Sequence, residues 1–490
     1  MKNNQIDATE LDTIKKKSVS GAFSYILRTA LLQGVGFLSL AILSSVFAPE
    51  DFGIYGFVVM IIGLLTFFSD VGLAAALVQK KQEPTRTEYQ TAFTIQMLLG
   101  WVIVAVAGIL VVSGIVAQKT GWEGNWILLI LAVSFPVTTL KTIPSVMLER
   151  RLEFSKLVLP QVIEQIVFHA VLITLAIRGS GVISYAYAIA LRTVAGIILM
   201  NVIQPWKIGL QLNRAAIKTL LGYGVKFQLN DLLARIKDQL FYVVVGLILP
   251  LKEFGFIQWA KNWSMYPYTL TVQNVMAITF PTFSRLQHHK EALARGVELS
   301  LFWITMFIFP IIIGMATFIS PMLVVFVDTY GKWQPAALSF AFFSLSIGWS
   351  AISTPLTNLL NAIGKIDKTL KLMLMWTGLT WILTPPLILW VGYNGVAISA
   401  LVISFSSIFA VWMVKRELKI NILSQIWPQL VAGLLMAGVA LGGQQLWQSS
   451  FTYLLSGMTL SLLAYLFGVI LLARTSIISN SKYLLQKRSA

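Results

Sequence analysis

Arg28, Lys141, Arg192, Lys226, Arg235, Lys237 and Lys261 each interrupt a stretch that is otherwise apolar enough to cross a membrane. All seven fall in the first 270 residues of a 490-residue chain. A guanidinium or ammonium at the centre of a bilayer costs about 2.5 to 3.5 kcal/mol even on insertion scales, so such groups face protein or water rather than lipid. Cations gathered around water inside a membrane are suited to one task, the attraction of an anion. They outnumber the carboxylates at comparable positions, Asp70, Glu164, Asp231 and Asp238, by three. The cargo this predicts is anionic.

The elements that must position these side chains are legible from composition. Hydrophobic residues make up 57% of the chain and charged residues 12%, with a mean hydropathy of +0.78. A soluble domain carries about 25% charged residues, so this is an integral membrane protein. The absence of cysteine excludes disulfides and thiolate chemistry, and three histidines give no basis for an imidazole metal centre. Neither a metal nor a cofactor is expected. Apolar runs long enough to cross a core of about 30 Å lie near 22-47, 52-78, 91-117, 125-147, 157-177, 183-203, 222-249 and 254-280. Six more lie near 299-326, 336-360, 370-391, 395-414, 427-446 and 453-473, giving fourteen spans of an all-α polytopic protein. Between them lysine and arginine alternate by side: twenty-six fall on one side, four (Lys119, Arg178, Lys252, Lys332) on the other, and seven in the spans. The positive-inside rule then places both termini in the cytoplasm and explains the net charge of +17 without nucleic acid. The first run, Ala22 to Phe47, is too long for a signal-peptide core and reads as a retained anchor.

Landmarks recur at offsets of 202 to 214 residues. Asp51-Phe52-Gly53 after Pro49 matches Glu253-Phe254-Gly255 after Pro250; Ile143-Pro144-Ser145 matches Thr354-Pro355-Leu356; Gly181-Val182 matches Gly395-Val396. Six spans separate the equivalents, which predicts two six-helix lobes in parallel pseudo-repeat around a central cavity, plus two C-terminal helices. The boundaries expected are a cytoplasmic segment 1-20, an N-lobe 21-203, a linker 204-221, a C-lobe 222-414, spans 13 and 14 over 415-473, and a cytoplasmic tail 474-490. Prolines inside spans, among them Pro136, Pro144, Pro160, Pro267, Pro310 and Pro355, predict kinks that neighbours must re-satisfy.

Helical spacing sorts the charged positions. Arg28 shares a small, polar stripe with Gly21, Ser24 and Ser39, and Asp70 lies at a similar depth; the two read as a structural pair or as a cavity cation controlled by a carboxylate. Arg192 shares its face with Tyr185, Ala188 and Gly196, and its expected partners are Glu164 and His169. Lys141 sits near the cytoplasmic end of its helix, where its stem can snorkel. On the seventh span Asp231, Arg235 and Asp238 cluster on one face as a self-neutralising triad. Lys226, Asn230 and Lys237 occupy another face with no intrahelical carboxylate, and Lys237 is the strongest single candidate for a substrate contact. Gln258, Lys261, Ser264 and Tyr268 form a polar stripe on the eighth span. The site expected for the anion and its attached groups is therefore Arg28, Arg192, Lys226, Lys237, Lys261, Tyr185 and Tyr268. Asp70, Glu164, Asp231, Arg235 and Asp238 are expected to couple an ion or balance charge. No Asp-x-Asp, Walker or zinc-ligand motif occurs and the outer loops are about ten residues long, so no catalytic residue is assigned.

Several segments resemble the Wzx-type polysaccharide-transport branch of the multidrug/oligosaccharidyl-lipid/polysaccharide exporter superfamily. They are Asp51-Phe52-Gly53-Ile54-Tyr55, Ser69-Asp70-Val71-Gly72-Leu73, Glu149-Arg150-Arg151-Leu152-Glu153-Phe154, Phe280-Pro281-Thr282-Phe283-Ser284-Arg285-Leu286 and Tyr330-Gly331-Lys332-Trp333. The likeness covers about residues 18 to 420 and is greatest to exporters of the colanic-acid or teichuronic-acid type. It implies a flippase that carries a polyprenyl-pyrophosphate-linked oligosaccharide, an exopolysaccharide, O-antigen or capsule repeat unit, across a bacterial inner membrane by alternating access. The partners implied are that lipid-linked substrate, membrane lipids and the polysaccharide polymerase machinery. A multidrug or cation antiporter of the same superfamily is the alternative, but it calls for an acidic or aromatic cavity.

Overall fold

The computed structural model describes residues 29, 31–66, 72–80, 82–218, 220 and 239–486, and of residues 278 and 483–486 the backbone alone. Every regular element among the described residues is helical. Among the described residues ten helices are long and apolar enough to cross a membrane, and each overlaps one of the expected spans. The chain divides into two compact units, Met1–Gly255 and Phe256–Ala490.

In the first unit the helices are α1 (Leu31–Val46), α2 (Pro49–Leu65), α3 (Leu73–Gln79), α4 (Arg86–Val112), α5 (Ile115–Arg150), α6 (Phe154–Ile177), α7 (Ser184–Ile203) and α8 (Phe241–Ile248). The expected second span, 52-78, is not one helix. Helix α2 stops at Leu65, and Gly72, in the left-handed region at φ 72°, opens the separate seven-residue α3. That conformation favours glycine because a Cβ would clash there. Helix α4 starts on a capping box, Thr85 accepting from the Glu88 N–H while Glu88 accepts from the Thr85 N–H. Helices α4 and α5 approach to backbone contact at Gly100, where a Cβ would lie 2.8 Å from the Pro136 nitrogen. The segment after α7 runs extended over α4: Gln211 and Asn213 donate backbone N–H groups to Thr94 and Thr91, and Trp206 meets Phe93 edge to face. Where α2 begins, the two landmark tripeptides meet. A Cβ on Gly53 would lie 3.0 Å from the Leu251 carbonyl carbon, and one on Gly255 would lie 3.1 Å from the Gly53 nitrogen.

The second unit holds most of α9 (Leu251–Tyr268), which continues through a π-helical turn at Thr269–Gln273 into α10 (Asn274–Leu286). Then come α11 (Lys290–Val325), α12 (Ala337–Ala362), α13 (Ile366–Val391), α14 (Asn394–Phe405), α15 (Ile408–Lys415), α16 (Ile422–Gly442) and α17 (Phe451–Gln486). Helix α11 is central, packing against α12, α16 and α17. At 36 residues each, α11 and α17 are about 54 Å long, well beyond a hydrocarbon core of about 30 Å. Arg295 donates to Asn480 Oδ1 at 2.5 Å and ties one end of α11 to α17.

Two helix prolines, Pro144 and Pro310, are compensated from a neighbouring helix. Pro144 has no N–H for the Leu140 carbonyl, and Asn201 Nδ2 of α7 donates to that carbonyl at 3.3 Å. Pro310 likewise frees the Met306 carbonyl, and the Tyr465 hydroxyl of α17 donates to it at 2.9 Å. A side chain from a neighbouring helix supplies what the proline removed.

Candidate functional site

In the first unit the site is built where α5, α6 and α7 pack. Arg192 of α7 is half-buried, and its guanidinium carbon lies 4.8 Å over the Phe168 ring of α6. Its charge also acts on Tyr55 and His169. Among the described residues no carboxylate lies in ion-pair range of Arg192. Glu164, expected to be its partner, instead accepts from Lys141 Nζ at 2.5 Å. The reason is local. Gly196, one turn along α7 from Arg192, leaves a notch that the Glu164 side chain fills; a Cβ there would lie 2.7 Å from Glu164 Cγ. Lys141, which the sequence presents as a snorkelling residue, is thus the counter-ion of Glu164, and both side chains are about four-fifths shielded. His169 Nδ1 is buried without a hydrogen-bond partner.

Tyr185 lies beside this cation but its faces are covered. Its ring stacks on Tyr55 at 3.5 Å and 9°, and Phe47 and Phe168 flank it at 5.7 and 6.4 Å. The Phe47, Tyr55, Phe168 and Tyr185 rings pack against one another, and within this cluster the Phe168 ring holds the Arg192 guanidinium by cation–π attraction. At the C-terminal end of α5, Arg150 has a role that its charge alone does not suggest. Its guanidinium donates to the carbonyls of Leu77 at 2.6, Val78 at 3.0, Lys80 at 2.8 and Gln82 at 3.1 Å, closing the C-terminal end of α3.

In the second unit the expected stripe of Gln258, Lys261, Ser264 and Tyr268 turns largely toward α12. Ser264 donates to the Phe340 carbonyl at 3.3 Å and shares a hydrogen bond with Ser344 at 3.1 Å, while Tyr268 and Thr354 share one at 2.9 Å. Gln258 is 3% exposed, with its Nε2 unpaired. Lys261 is half-buried. Outside the membrane, Glu417 accepts from Lys368 at 2.5 Å. That bond holds the Glu417 carboxyl below its usual range, with the positive charges of Lys365 and Lys290 adding to the effect. Arg28, Asp70, Lys226, Asp231, Arg235, Lys237 and Asp238 lie outside the described residues. No three His, Asp or Glu side chains gather into a metal-holding group among the described residues.

This arrangement, half-buried cations on membrane-spanning helices, meets a family match. Residues 42–338 fit the model of a family described as polysaccharide biosynthesis protein. The chain belongs to that family. Among individual relatives it is 23% identical over 321 residues to the succinoglycan biosynthesis transport protein ExoT of Rhizobium meliloti (strain 1021), covering 64% of either chain. It is 21% identical over 365 residues to the lipopolysaccharide biosynthesis protein WzxC of Escherichia coli (strain K12), covering 73% of each. The fold superposes on a solved structure of the lipid II flippase MurJ in an inward closed conformation, with a TM-score of 0.73 and 14% identity, over 94% of this chain and all of the other. An inward-facing transporter of the multidrug resistance MATE family matches with a TM-score of 0.59 over 80% of this chain and 98% of its own.

Proposed function

We propose that the protein is a flippase that moves a polyprenyl-pyrophosphate-linked oligosaccharide from the inner to the outer leaflet of a bacterial inner membrane. Fourteen spans in two parallel six-helix lobes plus two further helices would carry this by alternating access, with both termini cytoplasmic. The observation that carries the reading is Arg192: a guanidinium in a membrane span, seated on the Phe168 ring, with its nearest expected carboxylate already paired to Lys141. A cation so placed, with no carboxylate in ion-pair range among the described residues, is suited to an anionic group. Arg28, Lys226, Lys237 and Lys261 are the other cations expected to meet the pyrophosphate. Tyr185 would act by positioning Arg192, and Tyr268 by holding α9 against α12. The relatives named for polysaccharide transport point to the same class of cargo, and a polysaccharide polymerase is the partner that would receive it. The multidrug antiporter reading has weaker support, since the fold match is lower and the cations exceed the carboxylates.

Energetics favour the direction. One elementary charge crossing 100 mV is worth about 2.3 kcal/mol, so two negative charges leaving a negative cytoplasm gain about 4 to 5 kcal/mol. A coupled proton or sodium ion is permitted, with Asp70, Glu164 or Asp231 as its binding group, but the export direction does not demand one.

The test is a deletion strain complemented with Arg192→Ala or Lys261→Ala. Both proteins should reach the membrane at normal abundance while lipid-linked oligosaccharide accumulates on the inner leaflet. Normal surface glycan with either variant removes that residue from the site. A deletion strain that accumulates no lipid-linked intermediate refutes the function.

A further inference from the structure

Helix α9 also carries an uncharged polar face, distinct from the one that holds Lys261 and Ser264. The outer part of this helix is wrapped by protein: Phe256, Ile257, Gln258, Trp259 and Ala260 are all buried. Inward from there one side opens. Asn262 and Gln273 are exposed, and Tyr266 and Thr269 are half-buried. The spacing i, i+4, i+7 sets Asn262, Tyr266 and Thr269 on one face, and Gln273 closes the π-turn that continues it. From Asn262 to Gln273 the stripe runs about 16 Å, half the thickness of a bilayer core. It lies about 80° or more around the helix from the Ser264 and Tyr268 face that bonds α12.

Two observations say what this face meets. The first is that neither the Asn262 nor the Gln273 amide has a hydrogen-bond partner among the described residues, and an unpaired amide is strongly disfavoured in hydrocarbon. Water or a polar ligand therefore lies against it. The second is the π-turn itself. Such turns are rare and concentrate at functional sites, and this one is held by its own side chains: Thr269 Oγ1 donates to the Tyr266 carbonyl at 2.9 Å, Thr271 Oγ1 to the Pro267 carbonyl at 2.5 Å and Asn274 Nδ2 to the Leu270 carbonyl at 2.9 Å.

The stripe carries no charge, so it is no second phosphate site. Amides and hydroxyls both donate and accept, which matches the hydroxyls of a sugar. We infer that Asn262, Tyr266, Thr269 and Gln273 form a hydrated wall that hydrogen-bonds the saccharide part of the cargo, separately from the cations that hold its pyrophosphate. This rests on the flippase reading above.

The chain contains no cysteine, so single cysteines report cleanly. In inverted membrane vesicles a membrane-impermeant sulfonated maleimide should label Asn262→Cys and Gln273→Cys. It should leave Ile382→Cys, 67% exposed on the outside of α13, unlabelled. In proteoliposomes, the Asn262→Ala/Gln273→Ala double variant should transport a polyprenyl-pyrophosphate oligosaccharide at least tenfold more slowly than wild type. A polyprenyl-pyrophosphate monosaccharide should move within twofold of wild type. Cysteines that stay as unreactive as the one at position 382 place the face in lipid and overturn the wall, leaving the flippase reading intact. Labelled cysteines with full oligosaccharide transport by the double variant overturn it as well. Equal slowing of both substrates makes the face part of the pyrophosphate path and overturns the sugar assignment. Failure of the wild type to move either substrate overturns both readings together.

Discussion

Arg150 and Arg151 are neighbours with the same charge on the same side of the membrane, so topology alone predicts that lysine replaces either without effect. The structure predicts a large difference. Arg150 reaches four carbonyls of the segment 77–82 with two nitrogens, Nη1 serving Leu77, Val78 and Lys80 and Nη2 serving Gln82. Arg151 makes one exposed contact of 3.5 Å to Gln204. A hydrogen bond from a charged donor is worth about 1.5 to 3 kcal/mol. A lysine ammonium at position 150 is a point donor that can keep about one of these bonds, and water at the exposed Gln82 end replaces part of the loss. Arg150→Lys should therefore cost about 2 to 3 kcal/mol, a factor of about 30 to 150 in the folded ratio, while Arg151→Lys should stay within about 0.5 kcal/mol. Heating a fluorescent fusion in detergent and following the monodisperse peak measures both. Equal melting midpoints for the two lysine variants would refute the view that Arg150 holds the C-terminal end of α3.

Three further outcomes follow from other contacts. Lys141→Ala should lower membrane abundance because it leaves Glu164 unpaired in a largely shielded site, at a cost of about 2 to 3 kcal/mol, and Lys141→Met with Glu164→Leu should restore most of it; equal abundance of the single and double variants would remove the pair from the fold. Tyr465→Phe should destabilise by about 1 to 2 kcal/mol by leaving the Met306 carbonyl unpaired, and the loss should shrink when Pro310→Ala supplies the missing N–H, as measured by thermal midpoints of the four proteins. Glu417 has a carboxyl held below its ordinary value by Lys368, so its contribution is present above the unfolded glutamate pKa of about 4.3 and is lost as pH falls through the depressed folded value. The acid limb of the stability profile should flatten in Glu417→Gln, and an unchanged limb would exclude this contact.

What the sequence made legible was set by the physics of lipid. Hydrophobic length locates spans because the bilayer imposes it, and among the described residues ten long helices fall where that signal puts them. The second span shows where that reasoning stops. The run 52-78 is long and mostly apolar, yet the chain breaks it at Gly72 and holds the second piece, α3, with an arginine about seventy residues downstream. No local pattern encodes that contact. Partner choice failed for a related reason: a helical wheel places Glu164 and Arg192 on facing helices, but only packing reveals that Gly196 makes the notch that turns Glu164 toward Lys141.

The same limit explains why nothing in the sequence singles out Asn262, Tyr266, Thr269 and Gln273. In a membrane chain a charge announces itself because its cost in lipid is large, whereas asparagine, threonine and glutamine are common enough in spans to pass as helix glue. Which role they play depends on what covers them. Ser264, Ser344, Tyr268 and Thr354 are spent on binding α9 to α12, while Asn262 and Gln273, a few positions away on the same helix, are uncovered. A carrier of a lipid-linked glycan must satisfy two chemistries at once, a doubly charged pyrophosphate and a string of uncharged hydroxyls. Cations alone would grip the first and leave the sugars to compete for water. A wall of amides and hydroxyls exchanges water for sugar at nearly equal hydrogen-bond strength, so the glycan can be guided without being held. Under the proposed function, weak and renewable contacts to the sugars together with a few strong cations would let a carrier bind its cargo by the charged end and still release it.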